Sequence, residues 1–180
     1  MLENTDTLLS LAEIAAAFAG FAALVSVIKR RSDQPGEEVH DLLRLRLIIS
    51  SGVVGVAAAL VPVGLAGYGL DEGVIWRLSS LIFLALGYGI ILSFVNAYKP
   101  VRGDFPPDKL AVTLSAILEI IEQVSLFVVL LGLPFGNPAA LYVTALIGNI
   151  CQAGFIFVRF VASAFRGDSP NFKSRGETVR

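Results

Sequence analysis

The 180-residue sequence holds one cysteine, one histidine, one tryptophan and one methionine. Cys151 stands alone in an apolar run, which excludes a disulfide framework within the chain and argues against a cysteine metal site. His40 is surrounded by Glu37, Glu38 and Asp41 in a polar segment, the setting of a solvated side chain. With no second histidine, haem and di-iron chemistry inside the apolar segments is excluded. No metal and no cofactor is expected. Nucleophile-elbow, zinc-protease, paired-cysteine and phosphate-loop motifs are all missing. An enzyme is therefore disfavoured, and a lipid-modifying enzyme working with acids and arginine alone is the weakest reading kept. Charge is scarce as well. Only 16% of residues are charged, against about 25% in soluble domains. The net charge of -1 supplies no basic field for nucleic acid.

In place of charge there is apolar length: 55% of the residues are hydrophobic and the mean hydropathy is +0.74. A membrane span needs roughly 20 mainly apolar residues to cross about 30 Å of hydrocarbon. Five stretches meet that requirement, at about 8–28, 47–70, 78–98, 110–133 and 139–165. The expected fold is an all-α polytopic membrane bundle of five helices over residues 1–165, followed by a polar tail, 166–180, without regular structure. Glu37 to Arg46 reads as a helical extension of the second span. Pro35-Gly36, Asp71-Glu72-Gly73, the proline-rich stretch from Lys99 to Asp108, and Pro134 to Pro138 read as connections. The acidic start Met1-Leu2-Glu3-Asn4-Thr5-Asp6 does not suit a cleavable signal peptide, so the first run is expected to stay as a span.

Basic residues collect on the cytoplasmic side of membrane proteins. With the N-terminus outside and the C-terminus in the cytoplasm, every one of the 14 basic residues except Arg77 falls on the inner side. Four spans would misplace one basic cluster. The expected location is a bacterial cytoplasmic membrane. Tyr68, Trp76 and Tyr142 are expected at the outer interface, with Phe94, Tyr98 and Phe165 at the inner one. The inner basic loops are expected to meet anionic lipid or a protein partner.

Ionisable groups within spans mark the candidate site, because each costs roughly 2.5–3.5 kcal/mol at the bilayer centre on insertion scales. The fourth span carries Glu119 and Glu122, which share a stripe with Ser115. Two carboxylates one turn apart repel each other and favour a proton or cation between them. The fifth span carries a matching stripe of Asn149, Gln152 and Arg159. Two readings stay open: a cation-binding or proton-relay pathway, or a polar seam that holds helices together. Arg159 either pairs with Glu119 or extends to the inner headgroups. Glu13, about 8 Å below the outer end of the first span, either guards an outer vestibule or is an acid near a helix start. Its face continues through Ala16, Ala17, Gly20 and Ala23, small enough for another backbone to approach.

The second span offers a small-residue packing seam through Ser51, Gly55, Ala58 and Pro62, with Val54 on the opposite side and a kink expected at Pro62. Such seams, and the difficulty of enclosing a pathway with five short helices, point to a homo-oligomer. The leading expectation is a small channel or transporter subunit for protons or cations, embedded in the lipid bilayer. The rival is a structural or regulatory membrane subunit with no pathway of its own.

Overall fold

A computed structural model describes residues 4–28, 35–101 and 109–166. The described residues form five α-helices: α1 (Thr5–Ile28), α2 (Pro35–Ala66), α3 (Glu72–Tyr98), α4 (Lys109–Leu131) and α5 (Pro138–Arg166), with one 3₁₀ turn, Lys99–Val101. Each of the five is long and apolar enough to cross a membrane. No strand occurs among the described residues. The basic segment 29–34, the loop 102–108, the tail 167–180 and the side chains of His40 and Phe165 lie outside the described part.

Helix ends follow local chemistry and move several expected boundaries. Asp71 accepts the Val74 and Ile75 amides through its carbonyl, so α3 starts at Glu72, six residues before the expected 78. Trp76 then donates to Glu72 at 3.2 Å within the first two turns. Asp71-Glu72-Gly73 is therefore a helix start, and the turn itself is 67–70. There α2 ends at Ala66, short of the expected residue 70, and Gly69 takes a φ of +69°, a left-handed geometry that costs glycine nothing. Gly132 plays the same part after α4 at φ +65°, and the Leu133 and Gly132 amides return to the Val128 and Val129 carbonyls. This is the Schellman arrangement, and it ends α4 at Leu131. At the start of α5 the Asn137 side chain accepts the Ala139 amide at 2.8 Å, with Pro138 in the first helical position where its missing N–H costs nothing.

α5 touches all four other helices and is the centre of the bundle. α2 packs on α1, α3 and α5, whereas α1 contacts neither α3 nor α4 among the described residues. Small side chains explain the central role of α5: Ala139, Ala145, Gly148 and Ala153 are buried along it. Between α1 and α2, a Cβ on Gly52 would lie 2.9 Å from the Ala19 Cβ and 3.0 Å from the Ala15 carbonyl. A Cβ on Gly55 would meet the Ala15 Cβ at 3.1 Å. Gly55, Ala58 and Pro62 of the expected seam are buried, and Ser51 is half-buried. Val54 is buried too, at 6% exposure, so the side opposite the seam is also packed.

Pro62 sits inside α2 and has no amide hydrogen for the carbonyl four residues earlier. That carbonyl is Ala58's, and the Tyr142 hydroxyl donates to it at 2.7 Å. The ring of Tyr142 packs on Trp76 and Phe83, centroids 5.4 and 6.0 Å away. Trp76 and Tyr142 are both fully buried and so belong to the core instead of the expected outer aromatic belt. Tyr68 is 82% exposed. The outward faces of the helices are apolar, with Phe21, Leu24, Leu60, Leu92, Ile120 and Val158 exposed. Patches of that extent suit lipid and would aggregate in water.

Candidate functional site

The antiparallel register of α4 and α5 comes from two contacts. Gln152 donates to the Ser115 carbonyl at 3.4 Å. A Cβ on Gly148 would lie 3.7 Å from the Leu118 carbonyl and 3.8 Å from the Glu122 Cβ. For α3 and α4, a Cβ on Gly87 would stand 3.8 Å from Glu122 Oε1, and the Arg77 guanidinium occupies the place a Gly132 side chain would need. Both α3–α4 contacts give the same alignment. Glu122 therefore lies between two bare backbones, Gly87 and Gly148, and a larger residue at either position would press on its side chain.

Asn149 faces this carboxyl from α5, within side-chain hydrogen-bonding reach. Its Oδ1 is 3.3 Å from where a Gly55 Cβ would be. The pair is deeply buried, Glu122 at 3% exposure and Asn149 at 7%. Within it Glu122 Oε2 and Asn149 Oδ1 have no hydrogen-bond partner. One turn away Gln123 donates to Glu119 at 2.8 Å, and Gln123 Oε1 is likewise buried and unpartnered. All three of these unpartnered atoms are oxygen acceptors. Buried polar groups are normally satisfied, and an exception calls for a proton, ion or water.

Polar groups continue above and below this layer. Ser115 and Gln152 lie two turns toward the α4 start. Ser125 is buried three residues beyond Glu122, and the buried Ser79 and Ser80 of α3 align with residues 130 and 129 of α4. From Ser115 to that level is about 22 Å at 1.5 Å per residue, much of a hydrocarbon core of about 30 Å.

No protein family, curated protein or solved structure matches this chain.

The structure brings Glu122 and Asn149 into one layer, sets Glu119 one turn and Gln152 two turns along the same polar string, and leaves two expected members out. The α4–α5 register places Arg159 level with the start of α4, about ten residues or roughly 15 Å along the axis from Glu119. That is too far for an ion pair, so the Glu119–Arg159 pairing gives way to the alternative, an arginine near the end of the bundle where α4 begins. There its guanidinium lies 5.8 Å from the Phe155 ring centroid. Glu13 is exposed on the outward side of α1, away from the layer. It is also beyond the first turn of α1, where Asp6 is the acid. Gly20 is exposed on the same outward side, with nothing within 4 Å of a Cβ built on it; the packed face of α1 runs instead through Leu8, Ala12, Ala15 and Ala22. The glycine cradle of Gly87 and Gly148 escapes sequence reading, because one helix's periodicity does not say which residue of another helix stands opposite.

Proposed function

We propose that this protein is a small ion-translocating membrane subunit, for protons or a small cation, in which Glu122 and Asn149 form the central binding step. The observation that carries the reading is a pair of buried, unmet oxygens, Glu122 Oε2 and Asn149 Oδ1, on two side chains within hydrogen-bonding reach of each other. A proton on Glu122 turns one of these acceptors into a donor for the other, and a small cation satisfies both at once. Glu119 and Gln123 feed the pair from the Gln152–Ser115 side, and Ser125, Ser79 and Ser80 extend the polar string away from it. An intramembrane ionisable group is by default a functional candidate, since its cost must be offset by use.

The proposed orientation has the N-terminus outside, in a bacterial cytoplasmic membrane. It is supported by the grouping of Lys99, Lys109 and Arg159 at one end of the bundle with Arg77 at the other. The proposed assembly is a homo-oligomer in which a second copy covers the outward face of α1. There Glu13 is exposed beside Ala16, Ala17 and Gly20, and a bare carboxylate against lipid is costly. The rival structural-subunit reading draws on the Tyr142–Ala58 and Gln152–Ser115 bonds, which show polar groups spent on helix packing.

Flux into proteoliposomes separates the two. Purified protein should carry protons, Na⁺, K⁺ or Ca²⁺ across a pH series, and Glu122→Gln should abolish that flux. If wild-type vesicles pass none of these ions and Glu122→Gln vesicles behave identically, the structural-subunit reading takes its place.

A further inference from the structure

Away from the Glu122 layer, an open groove of about 230 Å³ runs between α2 and α3 toward the inner end of the bundle. Its walls are mostly apolar, with Leu47, Ile90 and Phe94 among them, and its polar groups are Arg46, Ser50 and Ser93. The Arg46 guanidinium donates to Ser93 Oγ at 3.0 Å. A guanidinium has five donors, and the partner found for this one is a neutral hydroxyl. Ser93 lies five residues before the end of α3, roughly 7.5 Å inward of Tyr98. Arg46 is exposed, so its charge faces the bilayer edge at about headgroup depth, and among the described residues no carboxylate pairs with it. The neighbouring cation, Lys99, also meets a neutral acceptor, Asn96 Oδ1 at 3.2 Å. Phe94 and Tyr98 stack at the rim, centroids 5.7 Å apart. Arg44 makes contacts of its own and is not counted in this charge.

We propose that the α2–α3 groove is a binding site for an anionic phospholipid, whose phosphodiester meets Arg46 and whose acyl chain lies along the apolar wall. Three features select this occupant. Two cations with neutral partners call for negative charge, and arginine binds phosphate through paired N–H groups. The groove lies between membrane helices near the inner side, where basic pockets hold acidic headgroups. Leu47, Ile90 and Phe94 along the groove wall would repel a free hydrated ion yet suit a lipid tail. The site is independent of the ion reading and stands or falls apart from it.

The test uses the full-length protein, purified in a neutral detergent and given phosphatidylglycerol, phosphatidylcholine or inorganic phosphate. Bound lipid is counted by native mass spectrometry and thermal stability is followed alongside. Phosphatidylglycerol should be retained and should raise the melting midpoint, whereas the other two should do neither. Arg46→Gln should lower phosphatidylglycerol retention roughly fivefold, the worth of one basic contact with an acidic lipid. Lys109→Gln, a cation outside the groove, should retain it. Gly89→Leu gives a second, independent reading. Gly89 lines the groove with nothing within 4 Å of an added Cβ, so leucine fills lipid space without striking protein and should also expel the lipid. Equal retention of phosphatidylglycerol by wild type, Arg46→Gln and Gly89→Leu overturns the proposal, as does equal retention of phosphatidylcholine. Stabilisation by inorganic phosphate to the same extent would make it a free-anion site and overturn it too.

Discussion

Tyr142→Phe removes one oxygen from a fully buried ring and leaves its packing on Trp76 and Phe83 unchanged. The oxygen it removes serves the Ala58 carbonyl at 2.7 Å, which Pro62 deprives of its helical donor. An unsatisfied buried carbonyl costs about 1–3 kcal/mol in soluble proteins. Interhelical hydrogen bonds measured in membranes average about 0.6 and reach about 1.7 kcal/mol. No neighbouring amide can replace the hydroxyl here, so the upper part of the membrane range applies, and the expected loss is about 1–1.7 kcal/mol. The decisive comparison repeats the change in Pro62→Ala protein, where the alanine amide can return to the Ala58 carbonyl. In that background Tyr142→Phe should cost about half as much or less, giving a coupling of at least ~0.5 kcal/mol, the threshold above which residues are judged to interact. Equilibrium unfolding in mixed micelles or by steric trapping measures all four proteins. An equal cost in both backgrounds would show that the tyrosine does not compensate for the proline.

Two packing predictions accompany it. Gly52→Ala should destabilise by about 1–3 kcal/mol as an overpacked site, because its Cβ would lie 2.9 Å from Ala19 and 3.0 Å from a backbone carbonyl. Gly64→Ala, in open space, should be neutral or stabilising by up to about 1 kcal/mol; equal melting points for the two variants would refute the α1–α2 crossing. Arg159→Leu and Glu119→Leu should add within about 0.5 kcal/mol in a double-mutant cycle, as distant sites do, and a larger coupling would show that the two side chains meet after all.

Much of the fold is legible in the sequence because the bilayer sets a length requirement that few soluble helices meet. The runs between the charged clusters were enough for five spans. The ends are less legible: the third span is expected from residue 78, yet α3 begins at Glu72 and carries Arg77 against the α4 terminus at Gly132. Aromatic residues misled in the same way. Trp76 and Tyr142 lie near span ends, where interface rings belong, but Pro62 on another helix gives Tyr142 a buried partner. The site was half legible. Glu119, Glu122, Asn149 and Gln152 stand out as polar groups at spacings of three and four, a pattern internal to each helix. The expected pairing of Arg159 with Glu119 fails because α5 runs well past the start of α4. Register between helices is decided by which glycines let backbones meet, here Gly55, Gly87 and Gly148, and no single-helix pattern carries that information.

Polar groups inside a membrane have no water to fall back on, so their state of satisfaction separates packing from use. The Tyr142–Ala58 layer is closed: a hydroxyl meets a carbonyl that needs a donor. The Glu122–Asn149 layer is open, with two oxygens unmet between three glycine backbones. The contrast makes opposite predictions for an isosteric change. Glu122→Gln keeps the shape and supplies an amide group with two donors within side-chain reach of Asn149. If the layer exists to hold helices together, it is improved by this change. If it exists to take up a proton or cation, its affinity is destroyed by the same change. The expected result is a protein at least as stable as wild type, gaining up to about 1.5 kcal/mol for a neutral hydrogen bond, that no longer passes ions. Asn149→Leu should do the reverse to stability, forcing bulk against Gly55, where the native oxygen already sits 3.3 Å from the Cβ position. A Glu122→Gln protein that loses more than about 1 kcal/mol of stability, the net worth of a typical hydrogen bond, while flux continues unchanged would place the carboxylate among the packing groups and remove it from the pathway.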